Sequence, residues 1–240
     1  MKTFWANETS LCVSVSGQTQ LEENELIQWI ISHYPSDIAP SLNDVIPAYS
    51  SALFIFKDTA VLNQQALKRT SQKLTHWIES TAQHHSTAQV SFGHVDKIIE
   101  IPVYYSSDFG LDLPHIAHEK GISISEVITA HQRGSYRVYA LGFAPGFAYL
   151  GGTPNEISVQ RQLTPRANVT KGSVAIANNQ AAVYPSDTPG GWNLVGRTPL
   201  FDHLQSTEEL INIYPIGGSV KFTSITLEEY NQQSAPEYQI

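Results

Sequence analysis

Leu11, Val13 and Val15 alternate with small or polar residues, the period of two that a half-buried strand imposes. Leu21, Leu26, Ile27, Ile30 and Ile31 then form a helical stripe that stops at His33-Tyr34-Pro35, where proline cannot continue the ladder. Two apolar runs follow, 42–48 and 52–56. Only Tyr49-Ser50-Ser51 separates them, which predicts an antiparallel pair. Helical spacing returns from Thr59 to Thr81 through Val61, Leu62, Ala66, Leu67, Leu74, Trp77 and Ile78. Beyond the polar run Gln83-His84-His85-Ser86-Thr87, the residues Ile98, Ile99, Ile101 and Val103 predict a fourth strand. The order β-α-β-β-α-β is the split βαβ pattern, so residues 1–103 are expected to form a ferredoxin-like domain.

Residues 104–133 read as a helical connector. Asp112 can cap a turn at Leu113-Pro114-His115, and Ser123-x-x-Glu126 is a capping box before a helix that runs to about His131. The style then changes. Short apolar strands at 137–143, 173–177, 181–184, 192–195 and 219–222 alternate with Gly- and Pro-rich turns, which predicts a β sandwich or barrel over 134–226. Polar residues and Pro236 make 227–240 an expected flexible tail. The fold class is therefore α+β.

Composition narrows the function classes. At 240 residues, with 41% hydrophobic and 15% charged residues, the chain is long enough for one large or two small cores. A formal charge of -8 lacks the basic field that nucleic acid or an anionic membrane requires. The lone Cys12, in an apolar alternating run, excludes an intrachain disulfide and a Cys-rich zinc site, and it reads as a buried structural thiol. The first residues carry no secretory signal pattern and no apolar run approaches ~20 residues, so a cytoplasmic location is expected.

The chemistry concentrates between Tyr136 and Leu200. This interval holds eight of the fifteen glycines and six of the thirteen prolines. Arg137, Arg161, Arg166, Lys171 and Arg197 stand against Glu156 and Asp187, so five cations minus two acids leave +3 in an acidic protein. Free backbone amides in Gly-rich turns, together with such cations, suit a carboxylate, a phosphate or a developing oxyanion. The same glycines also suit the tight turns of a barrel.

Gly191-Trp192-Asn193-Leu194-Val195-Gly196-Arg197-Thr198 has P-loop spacing with Arg in place of Lys. A P-loop must open a helix, whereas Thr198-Pro199 disfavours one and Trp-Asn-Leu-Val is strand-like. His115 and His118, three apart on a helix, lack a third metal ligand at sensible spacing, so no metal site is expected. His131, before Arg133-Gly134, is either a polar site residue or a histidine favoured by a helix C-terminus. Ser173 has no identifiable base beside it and reads as a turn serine. Hydrolase-elbow, zincin and Rossmann fingerprints are absent from the sequence.

Three long motifs are far more specific than any one glycine box. They are Tyr136-Arg137-Val138-Tyr139-Ala140-Leu141-Gly142-Phe143-Ala144-Pro145-Gly146-Phe147-Ala148-Tyr149-Leu150-Gly151-Gly152, then Thr164-Pro165-Arg166 with Lys171-Gly172-Ser173-Val174, and the run from Tyr184 to Leu200. Together they resemble the family of the 5-oxoprolinase B component, also called KipI or allophanate hydrolase subunit 1, over about residues 8–224. The resemblance implies a ferredoxin-like N-terminal domain and a cyclophilin-like β-barrel C-terminal domain. It also implies ATP-dependent cleavage of 5-oxoproline to L-glutamate, with ATP and Mg2+, in a complex with the A and C components of 5-oxoprolinase, the latter KipA-like.

For the chemistry that the resemblance implies, Arg166, Lys171 and Arg197 are of the right charge and type, and His131 joins them from its helix end as a candidate catalytic residue. Gly146, Ser173, Gln180, Pro189, Gly190, Gly191 and Trp192, in or beside the same Gly-rich motifs, are the candidate substrate-binding residues. A lactam is a poor electrophile, and phosphorylating its oxygen removes amide resonance, so cations and free amides are needed around the charge on phosphate and on the tetrahedral intermediate. The chain departs from the family pattern at Asn178-Asn179-Gln180-Ala181, where Gly-Gly is common, and at Tyr104-Tyr105-Ser106-Ser107. Similarly named relatives imply two other roles: inhibition of a sensor histidine kinase, and a carboxyltransferase-like module in urea or allophanate processing.

Overall fold

The computed structural model describes residues 1–17, 19–58, 64–84, 98–204 and 206–235. It divides into two compact units, Met1–His94 and Val95–Ile240. The first unit is built on β1 (Lys2–Asn7), β2 (Ser10–Ser14), α1 (Gln20–His33), β3 (Leu42–Pro47), β4 (Ser51–Phe56) and α2 (Gln64–His84). Its sheet has the order β1-β2-β4-β3 with every neighbouring pair antiparallel. Leu11, Val13, Phe54 and Phe56 meet Ile27, Ile30, Leu74 and Ile78 in its core. Thr19 and Glu22 form a capping box that starts α1, and the helix ends before Pro35 as its sequence requires. The part of the second expected helix at 59–63 and the polar run at 85–87 lie outside the described residues.

The sheet corrects one expectation. Its fourth strand is β1 at the N-terminus, whereas β5 (Ile98–Val103) belongs to the second unit, where it pairs in parallel with β13 (Ser219–Ser224). The β-α-β-β-α-β order is therefore not the order of this sheet. Alternating Ile and Val announce a strand but carry no information on its partner, here more than a hundred residues away. β1 escaped notice because it is an edge strand exposed on both faces, with Phe4 and Trp5 both exposed. Cys12 is half-buried rather than buried, because it sits on the face of β2 opposite Leu11 and Val13.

The second unit continues with α3 (Leu113–Lys120), α4 (Ile124–Arg133), β6 (Tyr136–Leu141), β7 (Ala148–Gly151), β8 (Arg166–Val169), β9 (Ser173–Ala177), β10 (Gln180–Val183), β11 (Thr188–Gly190), β12 (Asn193–Arg197), α5 (Thr207–Ile211), β13 and α6 (Leu227–Gln233). Seven strands run β12-β9-β10-β7-β6-β13-β5. A single antiparallel bridge between Tyr104 and Arg197 joins the two ends, through Tyr104 N–H to the Arg197 carbonyl at 2.9 Å and the reverse bond at 3.1 Å. The sheet is thus a nearly closed barrel, which removes most of its exposed edge. β8 and β11 form a separate two-stranded ribbon.

Inside the barrel, Val138, Leu150, Val174, Ile176, Val195 and Phe222 are fully buried. α3 packs against β12 and α4 against β13. The box predicted at Ser123 and Glu126 does start α4, with both reciprocal bonds formed. The segment from 227 begins as a helix rather than a tail, because Thr226 and Glu229 make another capping box and Tyr230 is buried. Residues 236–240 of the expected tail lie outside the described residues.

Candidate functional site

The hairpin loop between β6 and β7 supplies the floor of a cleft on the second unit. Phe147 is buried at its base and meets four other rings edge-on or nearly so: Phe143 at 5.0 Å, Tyr149 at 5.0 Å, Tyr184 at 5.8 Å and Trp192 at 5.9 Å. Such angles place the positive edge of one ring on the negative face of its neighbour. The cleft holds about 350 Å³, with Pro165, Pro189, Gly190, Gly191 and Arg161 completing its walls and rim. That size lies at the low end of the ~300–1,000 Å³ typical of small-ligand pockets.

Gly190 is there for space. A Cβ on it would lie 2.4 Å from the Tyr184 hydroxyl, which could not stay where it is. Tyr184 Oη in turn accepts the Trp192 backbone N–H, and burial leads the balance that raises its pKa, so it stays protonated. Four of the expected substrate-binding residues, Pro189, Gly190, Gly191 and Trp192, therefore converge on one cleft.

Behind the cleft lies a polar network that sequence reasoning missed. Asp112 stands at the N-cap position of α3 but makes no capping bond. Its carboxylate instead accepts from Arg166 at 2.6 Å, from Gln162 at 3.3 Å and from the Leu194 N–H at 2.7 Å. Gln162 also donates to Asn193 Oδ1 at 2.6 Å, and Asn193 donates to the Gln160 carbonyl at 2.8 Å. Asp112 is 5% exposed and Asn193 fully buried, so each polar atom needs these partners. Arg166 pairs across the ribbon with Gly190, and so it fixes the cleft wall.

The other candidates gather elsewhere. Ser173 pairs with Arg197 across β9 and β12, and Gly172 lies against the Arg197 side chain. Arg197 is bound to Asp202 at 3.5 Å and stacks over Phe109 at 5.4 Å, while Lys171 donates to the Leu204 carbonyl at 3.2 Å. Arg166 on β8 and Arg197 on β12 thus bind different carboxylates, Asp112 and Asp202. Gly146, with φ 83, lines a separate apolar depression with Leu210 and Tyr214. Gln180 opens β10, and the nearby Asn178 takes a φ of 53, the conformation a glycine would otherwise supply.

His131 is in the core. It is fully buried against Tyr136 and Phe222, with Nδ1 2.8 Å from the Tyr105 hydroxyl, and burial drives its pKa down to about 3. The imidazole is neutral and does not line the cleft. His115 lies 3.4 Å from Glu119 on the exposed side of α3. The Gly191–Thr198 run is built around strand β12 and is not a phosphate loop. Among the described residues there is no cluster of three metal-ligating side chains, and no helix is long and apolar enough to cross a membrane.

The profile of the carboxyltransferase domain, subdomain C and D, matches residues 1–211. The chain belongs to that family. It is also similar to proteins named as the B component of 5-oxoprolinase: the one from Bacillus subtilis is 32% identical over 228 residues, 93% of this chain and 92% of the relative. Among solved structures, TTHA0988 superposes with a TM-score of 0.66 at 26% identity, over 90% of this chain and 40% of that protein. The chain thus spans well under half of that structure. The Kluyveromyces lactis urea carboxylase shares the fold at 17% identity, with a TM-score of 0.60 over 96% of this chain and 22% of the enzyme.

Proposed function

We propose that this chain is one component of an ATP-dependent 5-oxoprolinase complex, which opens 5-oxo-L-proline to L-glutamate while ATP goes to ADP and phosphate. The observation that carries the reading is the near end-to-end match to proteins named as the 5-oxoprolinase B component. The aromatic cleft supports it, since it offers a small, largely apolar enclosure for one ring. Its partners in this reading are the A and C components of 5-oxoprolinase, and the complex is cytoplasmic.

Among the described residues, the three cations expected at the site do not converge on one point. The P-loop-like run is a strand, Arg166 and Arg197 are already paired with carboxylates, and Lys171 is spent on a backbone carbonyl. In this reading ATP and Mg2+ are held by a partner chain. Phosphorylation of the lactam oxygen there would remove amide resonance, so that water could add to the carbon. The ring C–N bond would then break with the amine leaving, and a second water would release phosphate from the resulting acyl phosphate. The task of this chain is to hold the ring in position for that attack. Arg166 serves as the support of the cleft wall, and Lys171 and Arg197 as supports of the barrel seam.

Co-expression with candidate A and C components tests the reading. Co-purification of the three chains and 5-oxoproline-dependent glutamate formation by the complex are expected. A chain that purifies alone and instead binds a sensor histidine kinase would replace the reading with an inhibitory one.

A further inference from the structure

Phe143 is held in a conformation that costs free energy. Its φ is 74, in the left-handed region that a bulky side chain avoids, and the residue is 61% exposed. Neither property helps the fold: the backbone is strained and apolar surface stays in water. Glycine would suit this backbone better. What the position gains is a ring at the mouth of the cleft, edge-on to the Phe147 floor and lining the same cleft as Trp192. Strain of this kind persists where the surrounding structure over-determines it, and it clusters at ligand clamps.

The rim carries the second observation. Arg161 is exposed, lines the cleft and makes no ion pair among the described residues. The loop that presents it is fixed by the Gln162 N–H bond to the Gly191 carbonyl at 2.7 Å. The acid that shares the neighbouring depression with it, Glu119, is paired with His115. A guanidinium kept without a carboxylate beside an aromatic cup is complementary to a ligand that carries its own.

We propose that the cleft is a subsite for a small flat ring bearing a carboxylate, with Phe143 covering the ring face and Arg161 binding the carboxylate. Resting on the proposed function, this assigns the ring and carboxylate of 5-oxoproline to two residues that set specificity.

Saturation-transfer NMR titration of the full chain tests this, with 5-oxoproline and the uncharged ring 2-pyrrolidinone as probes. The wild type should bind 5-oxoproline saturably. Arg161→Gln should weaken that binding about tenfold and leave 2-pyrrolidinone unchanged, with Arg161→Lys intermediate. Phe143→Ala should weaken both probes. Phe143→Gly should weaken both while Tm stays at or above that of the wild type, a pair of signs that a merely structural role would not give. Absent binding by the wild type, or equal affinity in Arg161→Gln, overturns the subsite. The reaction fails separately. An assembled complex that turns over no 5-oxoproline, beside a chain that binds it through Arg161, removes the reaction and keeps the subsite. Turnover with wild-type KM in complexes carrying Arg161→Gln and Phe143→Ala removes the subsite and keeps the reaction.

Discussion

Lowering the pH from 7 to 5 should weaken the second unit through one histidine. His131 is fully buried among Tyr105, Tyr136 and Phe222, and burial takes its pKa from 6.5 to about 3. The folded state therefore keeps the ring neutral, while the unfolded chain protonates it as pH drops through 6.5. The unfolded state then binds more protons, so stability is complete above about pH 7 and falls as pH decreases toward 3. At pH 5 the imbalance is RT ln(1 + 10^1.5), about 2 kcal/mol. That is a large fraction of a typical ~5–15 kcal/mol total. Urea unfolding at both pH values, on the wild type and His131→Gln, isolates the contribution. The variant should be less stable at pH 7, yet the gap should narrow by about 2 kcal/mol at pH 5. A gap that stays the same would show that His131 exchanges protons with solvent in the folded state, contrary to its enclosure.

Two further outcomes follow from the cleft and its support. Asp112→Ala leaves Arg166, Gln162 and the Leu194 N–H without their acceptor and should cost about 3 kcal/mol in chemical denaturation, whereas Asp112→Asn should cost less. A double-mutant cycle with Arg166→Met should show coupling between the two. Gly190→Ala puts a Cβ within 2.4 Å of the Tyr184 hydroxyl, so it should cost about 1–3 kcal/mol and change the environment of Trp192, read as a shift in tryptophan emission. An unshifted spectrum with unchanged stability would mean that Tyr184 moves aside freely.

How much of this was legible depended on whether the signal was local. The box at Ser123 and Glu126, the helix stop before Pro35 and the pair β3–β4 each lie within a few residues, and each formed as expected. The partner of β5 did not, because pairing with β13 is decided by which edge remains open in the barrel. Strands β7, β8 and β11 are only three or four residues long, too short for a period to show.

The site divides in the same way. The run Pro189–Trp192 was identified by its glycines and does line the cleft. Arg166, Lys171 and Arg197 were grouped by charge alone, and charge says nothing of which carboxylate each will find. Asp112 lies fifty-four residues from Arg166, and nothing near it in the chain marked more than a helix start. His131 looked available because it ends a helix, yet α4 packs onto β13 and His131 is enclosed. Phe143 and Arg161 were visible as types, in an interval dense with aromatic residues and cations. Only the backbone angle of one and the absence of an ion pair at the other, among the described residues, single them out.

The central claim is that this barrel takes part in opening 5-oxoproline, and turnover by a reconstituted complex tests it most directly. The A and C components should be assayed with and without this chain for ADP and glutamate formed from 5-oxoproline and ATP. Equal amounts of ADP and glutamate with the chain, and a loss of glutamate formation without it, are the predicted result. Full turnover in its absence would contradict the claim.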